Sequence, residues 1–147
     1  LNGLMQPALA LTAPGVAGVE GDGLLTMGEI LGLKLDADWV VLSACNTGSG
    51  AGAGAEAVSG LGQAFFYAGT RALLVSNWPV FSASTTELMI NLFSDPTLSL
   101  RTAYQQAMIN LIKKGTHKTS EGKVAFSYAH PLFWAPFTFV GDVGGVQ

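Results

Sequence analysis

A chain of 147 residues that is 49% hydrophobic can bury one sizeable core, and nothing in its length calls for a second domain. Only 12% of the residues are charged, against about 25% in ordinary soluble domains, so much of the surface is neutral or covered by a neighbour. The formal net charge of −3 offers no basic stripe for phosphates, which argues against a nucleic-acid partner, and a single cysteine excludes an internal disulfide or a thiolate zinc site.

No stretch reaches the ~20 consecutive apolar residues that a membrane-crossing helix needs, and the apolar N-terminus lacks the basic flank of a signal peptide. With no membrane segment and one unpaired thiol, a reducing, cytoplasmic setting is expected. The chain starts at Leu1 and its first 19 residues are uncharged, which gives it the look of a piece cut from a larger polypeptide.

Ala8 to Leu11 is a short apolar run ended by Thr12-Ala13-Pro14-Gly15, which predicts a strand followed by a turn. Thr26 with Glu29 three residues on is a capping-box pattern, opening a short helix through Ile30 and Leu31 that Asp36 and Asp38 close. Trp39-Val40-Val41-Leu42 is continuously apolar, the pattern of a strand covered on both faces of a parallel sheet. Cys45 lies just past its end. Gly48 to Gly54 is a loop of glycine, serine and alanine, after which Ala57, Val58, Leu61, Ala64, Phe65 and Ala68 recur at helical spacing, with Gly69 where a helix-ending glycine belongs.

Ala72-Leu73-Leu74-Val75 predicts a second buried strand and completes a β–α–β unit. Such crossovers are right-handed and parallel, so the C-terminal ends of both strands share one sheet edge, the edge where open α/β sheets bind ligands. Cys45 and Ser76-Asn77-Trp78 are therefore expected to face one crevice. Ser84 to Glu87 reads as another capping box, starting a helix with Leu88, Met89, Leu92 and Phe93 on one face. Leu100, Ala103, Tyr104, Ala107, Met108, Leu111 and Ile112 follow the clearest helical rhythm in the chain, with Ser99 as its cap and Lys113-Lys114-Gly115 at its end. Thr116 to Lys123 is polar and predicts a flexible surface loop, Phe137 to Val140 a last strand, and Gly141 to Gln147 a tail.

A lone cysteine is more often inert filler than a nucleophile. Its place after a buried strand and before Asn46-Thr47-Gly48 and a glycine loop favours a thiol that points into a crevice, where backbone N–H groups can lower its pKa and hold an oxyanion. The run Leu42-Ser43-Ala44-Cys45-Asn46-Thr47-Gly48, with Glu56 and Gly60-Leu61-x-x-Ala64-Phe65 behind it, resembles the cysteine motif of CHAT domains. Asp22-Gly23-Leu24-Leu25-Thr26, Gly69-Thr70-Arg71, Ser76-Asn77-Trp78-Pro79-Val80, His130-Pro131-x-x-Trp134-Ala135 and Val140-Gly141-Asp142 match in order, so the resemblance covers nearly the whole chain.

That resemblance implies an α/β fold, a three-layer α/β/α caspase-hemoglobinase-like architecture with a mostly parallel sheet, incomplete at its N-terminal side. It implies one CHAT-type unit over 1–147, in a bacterial, cytoplasmic protein, and a cysteine endopeptidase in which Cys45 attacks the scissile carbonyl and a histidine acts as general base. The family's histidine lies in a His-Gly motif after an earlier strand and has no counterpart in these 147 residues, so the segment by itself is expected to be inactive. Ser43, Asn46, Thr47, Gly48, Ser76, Asn77 and Trp78 are the residues the resemblance sets against substrate. The implied partners are a protein or peptide substrate and a tetratricopeptide (TPR) or other repeat region in the same or another chain, with no nucleic acid, membrane, metal or cofactor.

Several residues carry a plainer alternative. His130, in His-Pro-x-x-Trp-Ala, is better suited to packing or loop fixing than to proton transfer, and His117, among lysines and threonines, to solvation. Trp78 is equally a groove wall or a core aromatic. Glu56 is better read as a helix cap than as a site residue. Many CHAT sequences carry an aspartate soon after Trp-Pro-Val, where Phe81-Ser82 stands here, and related peptidases place one two residues before the cysteine, where Ser43 stands. Without either carboxylate, a preference for Arg or Lys before the cleaved bond loses its charge partner, and an apolar or small residue fits better. Two other readings stand beside the peptidase: a non-catalytic peptide-binding or interaction module, and a Rossmann-like nucleotide-binding domain. For the last, Gly48 to Gly54 lacks both Gly-Lys-Ser/Thr and G-x-G-x-x-G.

Overall fold

The computed structural model describes residues 7–18, 20–43 and 53–143, with residues 53–59 described by backbone alone. Cys45, Asn46, Thr47 and Gly48 lie outside the described residues, as does the side chain of Glu56.

The chain opens with a hairpin-like pair, β1 (Ala8–Ala10) and β2 (Leu24–Thr26), joined through the short helix α1 (Pro14–Ala17) and paired antiparallel with Ala8 opposite Thr26. Thr26 then caps α2 (Met27–Gly32): its Oγ1 accepts the Glu29 backbone N–H at 3.3 Å, and Glu29 Oε2 accepts the Thr26 N–H at 2.8 Å. The capping box read from the sequence is thus present in full. The pairing of β2 with β1 had no strong sequence signature, because each strand is three residues long.

The central sheet holds three strands in the order β3 (Ala37–Leu42), β4 (Thr70–Ser76), β7 (Phe137–Gly141). β3 and β4 run parallel, Trp39 opposite Ala72 and Leu42 opposite Val75, with α3 (Ala53–Tyr67) as the crossover. That is the β–α–β unit expected from the apolar runs. β7 joins β4 antiparallel, Ser76 opposite Phe137. The described sheet is therefore mixed, one parallel and one antiparallel pairing, rather than mostly parallel. β4 is the central strand and buries every residue but Arg71, which is why it reads as an unbroken apolar run. β3 has β4 as its sole neighbour among the described residues and is mostly half-buried, less covered than its sequence predicted. Asp38 belongs to this strand instead of closing the helix before it.

Alternation along β4 divides the core. Leu73 and Val75 pack with Ile30 of α2 and Leu61, Ala64 and Phe65 of α3. Leu74 packs on the other face with Leu88 and Leu92 of α4 (Ser82–Leu92), Ala107 and Leu111 of α5 (Leu100–Lys113), and Phe133 of α6 (Pro131–Trp134). Helices thus cover both faces of the sheet, and the fold class is mixed α/β.

Two expectations are corrected. Ser84 does not cap α4. The helix starts at Ser82 behind Phe81, and Ser84 sits buried in its first turn with Oγ donating to the Phe81 carbonyl at 3.0 Å. Nor is 116–123 a plain loop, since β5 (Thr116–Lys118) and β6 (Val124–Ser127) form an antiparallel hairpin. Polar composition hid β5, whose pairing residues come from beyond the turn. Ser99 does cap α5, accepting the Thr102 N–H at 3.3 Å.

Candidate functional site

The parallel pairing of β3 and β4 brings the end of one strand, Leu42, beside the end of the other, Val75, so Ser43 and Ser76-Asn77-Trp78 leave the sheet at the same edge. Ser43 is exposed there, whereas Ser76 is completely buried and Asn77 and Trp78 are half-buried. Burial of Ser76 leaves Asn77 and Trp78 as the residues of that triplet with surface to offer a ligand.

Both are tied down by the C-terminal motif. The Asn77 N–H donates to the Pro136 carbonyl at 2.8 Å, and Asn77 Nδ2 donates to Thr138 Oγ1 at 2.6 Å and to the Pro136 carbonyl at 3.3 Å. Trp78 Nε1 donates to the Leu132 carbonyl at 3.2 Å. Leu132 belongs to α6, whose cap is His130: its Nδ1 accepts the Leu132 N–H at 3.1 Å, and Pro131 follows at the first helical position. His-Pro-x-x-Trp-Ala is thus a helix-start sequence that aims a carbonyl at Trp78. His130 fixes a loop, as its context predicted. The contribution of Thr138 and Pro136 had no sequence signal, because it depends on the antiparallel docking of β7 beside β4.

His117 departs from expectation. It is half-buried, its Nδ1 is 3.0 Å from the Tyr128 hydroxyl, and its ring stacks on Phe126 at 4.8 Å, so it is a packed and bonded side chain instead of a solvated one. Both imidazoles in the chain therefore hold local structure.

Between the strand ends and α4 opens a cleft of about 480 Å³, lined by Ser43, Val80, Ser82, Thr85, Thr86, Met89 and Ile90. None of these side chains is charged. The lining drawn from α4 was not foreseen, since Met89 and Ile90 occupy neighbouring helical positions that periodicity assigns to core and solvent. Among the described residues no group of three or more His, Cys, Asp or Glu could hold a metal ion, and no helix is long and apolar enough to cross a membrane.

The described residues form a mixed α/β fold in which parallel strands β3 and β4 end at one sheet edge, and the cysteine motif follows β3 in the sequence. The chain matches the CHAT domain over residues 1–142, and it belongs to that family. It is similar to Tetratricopeptide repeat protein 28 of Mus musculus, 29% identical over 122 residues, and to Tetratricopeptide repeat protein 28 of Homo sapiens, 30% identical over 122 residues. Each alignment covers 81% of this chain but 4% of the relative, so the chain spans only a small part of their length. Both relatives are mammalian and lend no support to a bacterial source. No solved structure matches.

Proposed function

We propose that this chain is the cysteine-bearing part of a caspase-like, three-layer α/β/α peptidase domain, with Cys45 as the nucleophile of a cysteine endopeptidase. The observation that carries the reading is the shared edge: Ser43, two residues before Cys45, and Asn77-Trp78 follow the C-terminal ends of two parallel strands, and Ser43 and Val80 line an uncharged cleft beside them. Its thiolate attacks the scissile carbonyl carbon, the C–N bond breaks as a histidine protonates the departing amine, and water then hydrolyses the thioester. His130 accepts the Leu132 N–H through Nδ1, and His117 lines a different cleft from Ser43, so the reading takes its base from the family's His-Gly motif, which these residues do not contain.

The substrate is an extended protein segment lying along Ser43, Asn46, Thr47, Gly48, Asn77 and Trp78, with an uncharged residue seated in the cleft. The relatives are tetratricopeptide repeat proteins by name, which supports such a repeat region in the same or a partner chain. A cytoplasmic site of action fits the single unpaired cysteine.

The lack of a His-Gly motif among these 147 residues also supports a second reading, a peptide-binding module that does not cut. Incubation of the full-length protein with a peptide acyloxymethyl ketone, followed by mass spectrometry, separates the two. The peptidase reading expects alkylation at Cys45 and loss of substrate cleavage in Cys45→Ala. A protein that binds the peptide but leaves Cys45 unmodified is the module.

A further inference from the structure

The net charge of −3 conceals a division. Residues 1–100 carry eight Asp and Glu against two Lys and Arg, whereas residues 101–147 carry five Lys and Arg against two Asp and Glu. Part of this positive charge meets a second cleft, about 600 Å³, which adjoins the first through Ser82 and Thr86 of α4 and is completed by Lys114 and the β5–β6 hairpin. That volume is within the range of small-ligand sites, about 300–1,000 Å³.

Its lining is rich in donors. Lys114, Lys118, His117, Ser82, Thr86 and Thr116 are among the residues that line it. Glu87 is the sole acid among the lining residues, and Lys114 Nζ holds its carboxylate at 2.5 Å. Lys118 makes no ion pair among the described residues. His117 is presented rigidly, with Nδ1 bonded to the Tyr128 hydroxyl and its ring stacked on Phe126, which leaves Nε2 as its free hydrogen-bonding atom among the described residues.

The backbone is shaped for this. Successive residues of a strand point to opposite faces, yet His117 and Lys118 both line the cleft. The register of β5 on β6 shifts between these two residues, and a bulge of that kind re-aims one side chain to its neighbour's face.

We propose that this cleft binds a phosphate group through Lys118, Lys114, His117 and Thr116, independent of whether Cys45 cuts. A dianionic phosphate matches two lysines on one cleft better than a singly charged carboxylate does, its three oxygens can be shared among lysine, imidazole and hydroxyl donors, and lysine is a common phosphate ligand. The phosphate is carried either free or on a phosphorylated side chain.

Inorganic phosphate and a phosphoserine-bearing peptide, titrated into the full-length protein at fixed ionic strength and followed by ³¹P line broadening, test this. Saturable binding is expected, weakened at least tenfold by Lys118→Glu. That exposed residue has no ion pair to lose, and Thr116→Val, a second variant, is expected to weaken binding without reversing charge. Whichever probe binds more tightly identifies the source. Equal binding by wild type and both variants, or equal competition by acetate, overturns the proposal.

Discussion

The hydroxyl of Tyr104, on α5, donates to the carbonyl of Phe137, the first residue of β7, at 3.0 Å. This bond ties the helical layer to the strand that holds Asn77. Burial pushes the Tyr104 phenol up from 10.0 to about 12.

A phenol whose pKa is raised by folding stabilises the native state below its unfolded value and loses that contribution as pH climbs through the folded one. Stability is therefore expected to fall between pH 10 and about 12 by roughly 2–3 kcal/mol from this residue. Tyr104→Phe should cost about 1 kcal/mol at neutral pH through the lost hydrogen bond and flatten the alkaline decline. Urea midpoints measured against pH for the two proteins check both parts.

Asn77→Ala removes the donors to Thr138 Oγ1 and the Pro136 carbonyl while leaving the backbone bond to Pro136 in place. A stability loss of about 1–2 kcal/mol is expected. If Asn77 and Trp78 line the peptide groove, kcat/KM of the full-length protein falls about tenfold or more, and Trp78→Phe, which keeps the ring but loses the tether to Leu132, falls less. Steady-state cleavage of a peptide library measures both.

Ile90 is 62% exposed at the rim of the uncharged cleft, so Ile90→Glu should fold normally. The proposed site then acquires a carboxylate. Relative cleavage after Arg or Lys, compared with an aliphatic residue, should rise about tenfold, equivalent to about 1.4 kcal/mol. Unchanged selectivity would separate this cleft from the residue preceding the cleaved bond.

Gly69 ends α3 with φ +105°, and a Cβ there would press into the Leu35 carbonyl oxygen. The Leu35 N–H donates to the Ala68 carbonyl at 2.6 Å, so neither backbone can retreat without breaking the junction between α3 and the segment leading into β3. Gly69→Ala is expected to destabilise by several kcal/mol, on the order of 3, through combined strain and contact. Faster amide exchange in β3 and β4 reports it.

What the sequence determined by itself was local or continuous. The Thr26–Glu29 box, the Ser99 cap, the end of α3 at Gly69, and the apolar runs of β3 and β4 are set by neighbours within a few residues, and a β–α–β order fixes the parallel pairing by chirality. The family was legible because its motifs recur in order along the chain. The tertiary structure decided what depends on distant partners. Antiparallel docking of β7 made the sheet mixed and gave Asn77 its acceptors, and the turn after Lys118 brought Phe126 and Tyr128 against His117. A polar side chain's role is set by the groups that meet it, and those come from segments whose separation along the chain no periodicity encodes.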